Sequence, residues 1–190
     1  MQMEWSDGKK RCCWANPKNE RYIRYHDEEW GVPVYDDGML FEMLVLECFQ
    51  AGLSWECVLN KREAFRAAFD GFDLEAVCAY GEDKLEALRN DPGIIRNRLK
   101  IQAAVTNARV FREIQGEYSS FAGYLWHWTA GKVVYETGLT HSELSDRISK
   151  DLKKRGMKFV GTTVIYAYLQ AVGVIYSHDE GCFLERKTVV

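Results

Sequence analysis

The chain is poor in the signals that would place it in a membrane, a secretory pathway or a β-rich fold. No apolar run is long enough to cross a bilayer, and Met1 to Lys10 holds no apolar segment of the signal-peptide kind. Both absences point to a soluble cytoplasmic protein. Alternating strand patterns are scarce, and neither repeats nor low-complexity segments occur. Charge of one sign is not in large excess: 25 Lys and Arg against 28 Asp and Glu leave a formal net charge of -3, so the whole-molecule field does not advertise a polyanion partner. Histidine is rare, at four residues, so a metal centre has few imidazoles to draw on. The six cysteines of an intracellular chain read as free thiols or metal ligands and not as disulfides.

What is present is apolar and aromatic. A hydrophobic fraction of 47% and an aromatic fraction of 13% over 190 residues suit a compact globular protein with a real core. Apolar spacing and Gly or Asn-Asp-Pro stops predict helices over roughly 38–51, 54–69, 73–80, 83–89 and 96–115. A short helix is expected near Phe121, one from Ser142 to Gly156, and a nearly all-apolar one over 162–172, stopped by Gly173. The expected fold is all-α, with a polar N-terminal extension over 1–10 and a single helical domain over 11–190.

One stretch stands out. From Met39 to Phe49 the chain is apolar on almost every helical face, which marks a core helix, yet Glu47 lies inside it. A buried carboxylate is costly unless something pairs with it. Gln50 follows three residues later on the same side, Gly52 ends the helix, Ser54 can cap the next one, and Trp55 supplies a large flat ring. The ordinary explanation of such a Glu is a hydrogen bond to a neighbouring loop. The rest of the chain favours a binding role. Trp14, Tyr22, Tyr25 and Trp55 come from segments that flank it, and a ring-lined cavity with one carboxylate suits an electron-poor, positively charged heterocycle.

Two further constellations carry chemistry. His178 and Cys182 have a metal-like spacing near one end, and Cys12 or Cys13 with His26 offers a second pair near the other. Together they would make a closed Cys2His2 set suited to structural zinc, stapling the two ends of the chain. His127 and His141 read as surface or packing residues. The turn Asp91-Pro92-Gly93-Ile94-Ile95-Arg96 lies between helices. Gly93 there permits a positive φ that would expose backbone N–H groups to a phosphate, with Arg96, Arg98 and Lys100 just beyond. A second basic stretch runs through Arg147, Lys150, Lys153, Lys154, Arg155 and Lys158; either stretch could equally be a solvated helix face.

Taken together, several segments resemble one family, DNA-3-methyladenine glycosylase I, the constitutive alkyladenine glycosylase of bacteria. They are Arg11-Cys12-x-Trp14, Tyr25-His26-Asp27-x-Glu29-Trp30-Gly31-Val32-Pro33, Leu40-Phe41-Glu42-Met43, Glu47-x-x-Gln50-Ala51-Gly52-Leu53-Ser54-Trp55, Gly93-Ile94-Ile95-Arg96, the Lys153-to-Thr163 segment and the His178-x3-Cys182 tail. The resemblance implies a helix-hairpin-helix fold that flips 3-methyladenine out of alkylated double-stranded DNA and releases it as the free base, in a monomer bearing one structural zinc. It assigns Cys12, His26, His178 and Cys182 to the metal, with Cys13 as the alternative to Cys12. It assigns Glu47, Tyr25 and Trp55, helped by Trp14, Tyr22 and Gln50, to the base. Gly52 and Leu53 would press into the duplex, and Gly93, Ile94, Ile95, Arg96 and Lys100 would hold its backbone. No Asp occurs between Asp91 and Asp146, so the catalytic aspartate that larger relatives place after the hairpin has no counterpart. A zinc-stapled DNA-binding protein without catalysis and a zinc hydrolase are the rivals; the second needs an open coordination position.

Overall fold

The computed structural model describes residues 5–186. Ten α-helices follow in order: α1 (Glu20–Arg24), α2 (Asp37–Gln50), α3 (Trp55–Asn60), α4 (Arg62–Ala68), α5 (Leu74–Cys78), α6 (Glu82–Asn90), α7 (Arg98–Tyr118), α8 (Phe121–His127), α9 (Glu143–Lys154) and α10 (Thr162–Ala171). Two short strands, β1 (Val134–Tyr135) and β2 (Ile175–Tyr176), pair in parallel, with Val134 opposite Ile175. None of the helices is long and apolar enough to cross a membrane.

The central element is α2, in which every residue from Leu40 to Phe49 is buried. Its start is fixed by Asp36, whose carboxylate accepts from the Met39 amide at 2.8 Å. The adjacent Asp37 carboxylate accepts from the Phe121 and Ala122 amides, each at 2.8 Å, so one acid ties the start of α8 to the start of α2. Helices α3, α7, α8 and α10 pack around α2. Stacked Phe111 and Phe121, 3.9 Å between centroids, fill one side of the core, and Phe49 meets Phe65 at 4.8 Å on the other.

Four differences from the sequence expectation have local causes. The helix expected over 54–69 breaks at Lys61 (φ -99, ψ 1), and α4 then begins with Arg62 turned into the core. There Arg62 donates to Glu42 at 2.5 Å and to Glu29 at 2.6 Å. The long helix begins at Arg98, not near residue 96, because the Asn97 side chain accepts from the Leu99 and Lys100 amides as an N-cap. It continues to Tyr118, where Ser119 takes a left-handed φ of 67°. Between Glu20 and Glu29 the chain forms α1 followed by one π-helical turn, Tyr25–Glu29, where no helix was expected. The wider turn buries Tyr25 and His26 side by side on different contacts. Of the polar extension expected over 1–10, residues 1–4 lie outside the described residues; Lys10 meets the C-terminal segment, its carbonyl accepting from the Phe183 amide at 2.7 Å.

Replacing Arg62 by Ala leaves Glu42 buried with only Arg66 to neutralise it. Loss of one partner from a buried ion pair is expected to cost about 3 kcal/mol in urea unfolding. A loss below ~1 kcal/mol would mean that Arg66 alone carries the charge of Glu42.

Candidate functional site

A cavity of about 200 Å³ opens beside the C-terminal half of α2, lined by Trp14, Tyr22, Tyr25, Trp30, Glu47, Gln50, Trp55, Ala167 and Gln170. All six side chains expected to form a ring-lined pocket are therefore in one place. Tyr22 and Tyr25 reach it from α1 and the π turn, Glu47 and Gln50 from α2, and Trp55 from the first residue of α3. That last helix starts where Ser54 accepts from the Cys57 amide at 3.3 Å. The rings adjoin: Trp14 to Tyr22 at 5.3 Å, Trp14 to Trp30 at 4.9 Å, and Tyr25 to Trp55 at 5.2 Å.

Two fully buried polar atoms in this wall have no protein partner among the described residues. Glu47 is 3% exposed, and its Oε2 accepts no hydrogen bond; the buried Nε1–H of Trp55 donates none. Burial alone pushes the Glu47 carboxyl up to about 8. Tyr25 is fully buried, and burial, with the Glu47 charge second, holds its hydroxyl protonated far above the ordinary range. A cavity with an aromatic lining, an unpaired carboxyl and an unpaired N–H is complementary to a flat ring that carries hydrogen-bonding edge atoms, and best to one with positive charge. Sequence reasoning missed three lining residues. Gln170 had a usable signal, because it is a polar residue in the nearly all-apolar α10, as Glu47 is in α2. Trp30 and Ala167 had none beyond proximity.

Against the back of this wall lies a second constellation. Cys12, His26, His178 and Cys182 are all buried, and their ligand atoms lie within 4.8 Å of one another. The Cys12 Sγ is 3.4 Å from His178 Nδ1, and Cys182 Sγ is 3.6 Å from both His178 Nδ1 and His26 Nε2. A tetrahedral ion with metal–sulfur and metal–nitrogen bonds of about 2.3 Å and 2.05 Å spaces such atoms by about 3.5 Å, so the four side chains fit one ion. The outward ring nitrogens are also engaged: His26 Nδ1 with Asp27 at 2.8 Å and His178 Nε2 with the Trp30 carbonyl at 3.3 Å. Arg11 clamps the same Asp27 at 2.8 and 2.6 Å. Burial lowers both imidazoles, His178 to about 4, which keeps them neutral as ligation requires. Cys13 is exposed and outside the cluster, so Cys12 is the residue that fits. His127 and His141 take no part; the first packs on Tyr118 and Trp128, the second is exposed.

The remaining expected residues are spread over two adjacent loops. Gly52 has a φ of 81°, and Leu53 beside it is 43% exposed at the α2–α3 connection. In the α6–α7 turn Ile94 is buried, Ile95 is half-buried and Arg96 is exposed. Gly93 corrects the expectation: its φ is not positive, and what glycine relieves there is crowding, since a Cβ would lie 3.0 Å from Asp91 Oδ1 and 3.1 Å from the Cβ of Ala64 on α4. Lys100 corrects it more strongly. It is buried, and its Nζ donates to the Phe49 carbonyl at 2.8 Å and the Ala51 carbonyl at 2.6 Å. It satisfies the open C-terminus of α2 and is not available to a phosphate.

Comparison with known proteins agrees with this geometry. A family model described as methyladenine glycosylase matches residues 14–185. The chain is 45% identical over 179 residues to DNA-3-methyladenine glycosylase 1 of Escherichia coli, covering 91% of this chain and 95% of that protein. A crystal structure of a 3-methyladenine DNA glycosylase I superposes with a TM-score of 0.89 at 44% identity, over 93% of this chain and 100% of the other. The Staphylococcus aureus 3-methyladenine DNA glycosylase I, in a structure on the basis of its 3-methyladenine recognition, gives a TM-score of 0.88 at 34% identity, over 93% and 97% of the two chains.

The unpaired carboxyl has a signature in stability. Its folded value, about 8, lies above the 4.5 of the unfolded chain, so the folded state holds the extra proton between those values. The contribution is fully present below pH 4.5 and is lost as pH rises through 8. Glu47→Gln removes this dependence. Its melting temperature should gain on the unsubstituted protein by roughly 5 °C or more between pH 5 and pH 8.5. Parallel melting curves across that range would place the carboxyl in water instead.

Proposed function

The chain belongs to the methyladenine glycosylase family, and from that premise we propose that it excises 3-methyladenine from alkylated duplex DNA by hydrolysis, leaving an abasic site. The observation that carries the reading is the unpaired Glu47 carboxyl inside an aromatic pocket sized for one flat bicyclic ring. Methylation at N3 gives adenine a positive charge and weakens both its pairing and its glycosyl bond. The damaged base therefore needs selection and orientation more than strong acid catalysis. Stacking against Tyr25 and Trp55 with Trp14, Tyr22 and Trp30 behind them accepts a flipped ring, and the charge on that ring draws Glu47 toward its ionised form. Glu47 and Gln50 hydrogen-bond the base edge, and Trp55 Nε1–H supplies one donor. The glycosyl electron pair leaves with the base, water forms the new bond to C1′, and its proton is lost to solvent. No lysine Schiff base is invoked, so the strand stays intact.

In this reading α6, the 91–97 turn and α7 form the hairpin that grips the DNA backbone, through Arg96 and the main chain of Gly93, Ile94 and Ile95. Gly52 and Leu53 enter the space vacated by the flipped nucleotide. The buried Cys12, His26, His178 and Cys182 hold a structural zinc, which supplies cross-linking of the chain ends and no chemistry at the base. Four protein ligands leave no open position, which argues against a zinc hydrolase. The enzyme acts as a monomer.

Chromatography of free bases released from methylated duplex DNA tests the function directly. Release of 3-methyladenine with 7-methylguanine left in place is expected; a duplex that is bound but yields no base would favour the non-catalytic reading. Glu47→Gln should lower single-turnover excision by about 100-fold or more while changing duplex affinity less than ~3-fold. Unchanged excision would remove Glu47 from the site.

Cys182→Ser should lose the zinc that metal analysis finds at about one per wild-type chain, and melt roughly 10 °C lower. A zinc-free wild-type protein would overturn the metal assignment.

A further inference from the structure

The basic run from Arg147 to Lys158 has no part in the pocket, the metal cluster or the α6–α7 turn. Most of it is explained locally. Arg147 lies over the Trp128 ring at 5.2 Å, Arg155 pairs with Glu117 at 2.6 Å and Asp151 at 2.7 Å, and Lys153 and Lys154 complement the C-terminal dipole of α9. Lys150 and Lys158 have no such account: both are exposed, no ion pair among the described residues includes either, and Lys158 lines a groove.

The loop that carries Lys158 is nevertheless tightly fixed. Asn107 of α7, itself buried, donates to the Lys158 carbonyl at 2.9 Å and accepts from the Lys158 amide at 2.8 Å. Ser149 donates to the Val160 carbonyl at 2.7 Å. Between these anchors Phe159 takes a left-handed φ of 57°, an uncommon strain for an aromatic residue. The backbone is gripped while the lysine side chain is left in solvent. Together with Leu99, Gln102, Ala103 and Thr106 from one face of α7, Lys158 and Phe159 enclose a groove of about 490 Å³. Leu99 is 65% exposed and follows directly on Arg98, itself exposed like Arg96. On the other flank, Lys100 Nζ lies 5.8 Å over the Phe159 ring while bonded to the Ala51 carbonyl, one residue before Gly52 and Leu53.

We propose that Lys158 and this groove are a second clamp on the backbone of duplex DNA, continuous with the α6–α7 turn. Lys158 pairs with a phosphate, and Leu99 and Phe159 pack against deoxyribose of the same strand. The proposal rests on the DNA-repair reading above. Charge and continuity select duplex DNA as the occupant: Lys158 in the groove lining and Arg96 and Arg98, exposed just ahead of Leu99 in the chain, are all cationic, and the groove begins one residue beyond Arg98. Such contacts position a duplex without reading its sequence.

The test is fluorescence anisotropy with a labelled undamaged duplex over a series of salt concentrations, for wild type, Arg96→Ala, Lys158→Ala and Leu99→Ser. Lys158→Ala keeps both Asn107 bonds, which are to its main chain, and a melting curve checks that it folds. It should weaken binding by roughly 3- to 10-fold and reduce the slope of log Kd against log salt by about 1. Leu99→Ser should weaken binding with the slope unchanged. If Arg96→Ala weakens binding but Lys158→Ala alters neither affinity nor slope, the clamp is wrong and the DNA reading stands. If the wild-type protein shows no salt-dependent duplex binding, both fall. Should Lys158→Ala melt early, Lys158→Gln is read in its place by the same slope.

Discussion

A carboxyl group buried without a partner is costly, and Glu47 is the constraint on which the rest of the structure depends. Its Oε2 is buried without a protein partner among the described residues, on a helix that is itself held on all sides. The helix is buried from Leu40 to Phe49, capped at its start by Asp36 and held at its end by Lys100. A cavity is thus kept ready for a ligand that can return what the carboxyl lost on leaving water. Preorganisation of this kind reduces the reorganisation needed when the ligand binds.

Lys100 extends that argument from the pocket to the loops around it. A buried ammonium without a carboxylate is itself unfavourable, and burial depresses its proton affinity. It is tolerated because it donates to two carbonyls at the negative end of α2. The same residue belongs to the first turn of α7, directly after the 91–97 turn, and lies over Phe159. One side chain therefore ties together the α2–α3 loop, the 91–97 turn and the 156–161 loop. Lys61 adds a strut by donating to the Gly93 carbonyl at 3.1 Å.

The elements that were legible in the sequence are those set by local pattern. The helices follow apolar spacing and their stops, and Glu47 with its rings follows from an acid in a largely apolar run, whose other acid, Glu42, is paired with Arg62 and Arg66. The four metal-cluster residues were visible as two separated pairs. What stayed hidden depends on contacts between distant segments. Lys100 looks like a phosphate contact in a run of cations, because nothing near it in sequence shows that its partners lie 51 and 49 residues away. Arg109 and Arg112, further along α7, are likewise turned to the Cys78 carbonyl and to Glu75. Gly93 was read through backbone freedom when what glycine relieves there is crowding by Asp91 and Ala64. The π turn at Tyr25–Glu29 has no simple sequence signal; its cause is that two neighbouring residues must serve two different sites.

That π turn explains why the metal cluster and the pocket are mechanically one object. Tyr25 faces the pocket, and the next residue, His26, enters the cluster. Trp14 lies 5.1 Å from the His26 ring, and Trp30 lies 4.7 Å from the His178 ring, so two pocket walls rest directly on the imidazoles of the cluster. Neither terminal segment forms a helix at these points, and the local backbone alone would not hold a large indole in place. An ion held by residues 12, 26, 178 and 182 would fix both segments at once, and the aromatic wall would share that rigidity. The cluster contributes no side chain to the pocket lining, yet two of the pocket's walls pack against it, as the outer contacts of a binding site support the inner ones.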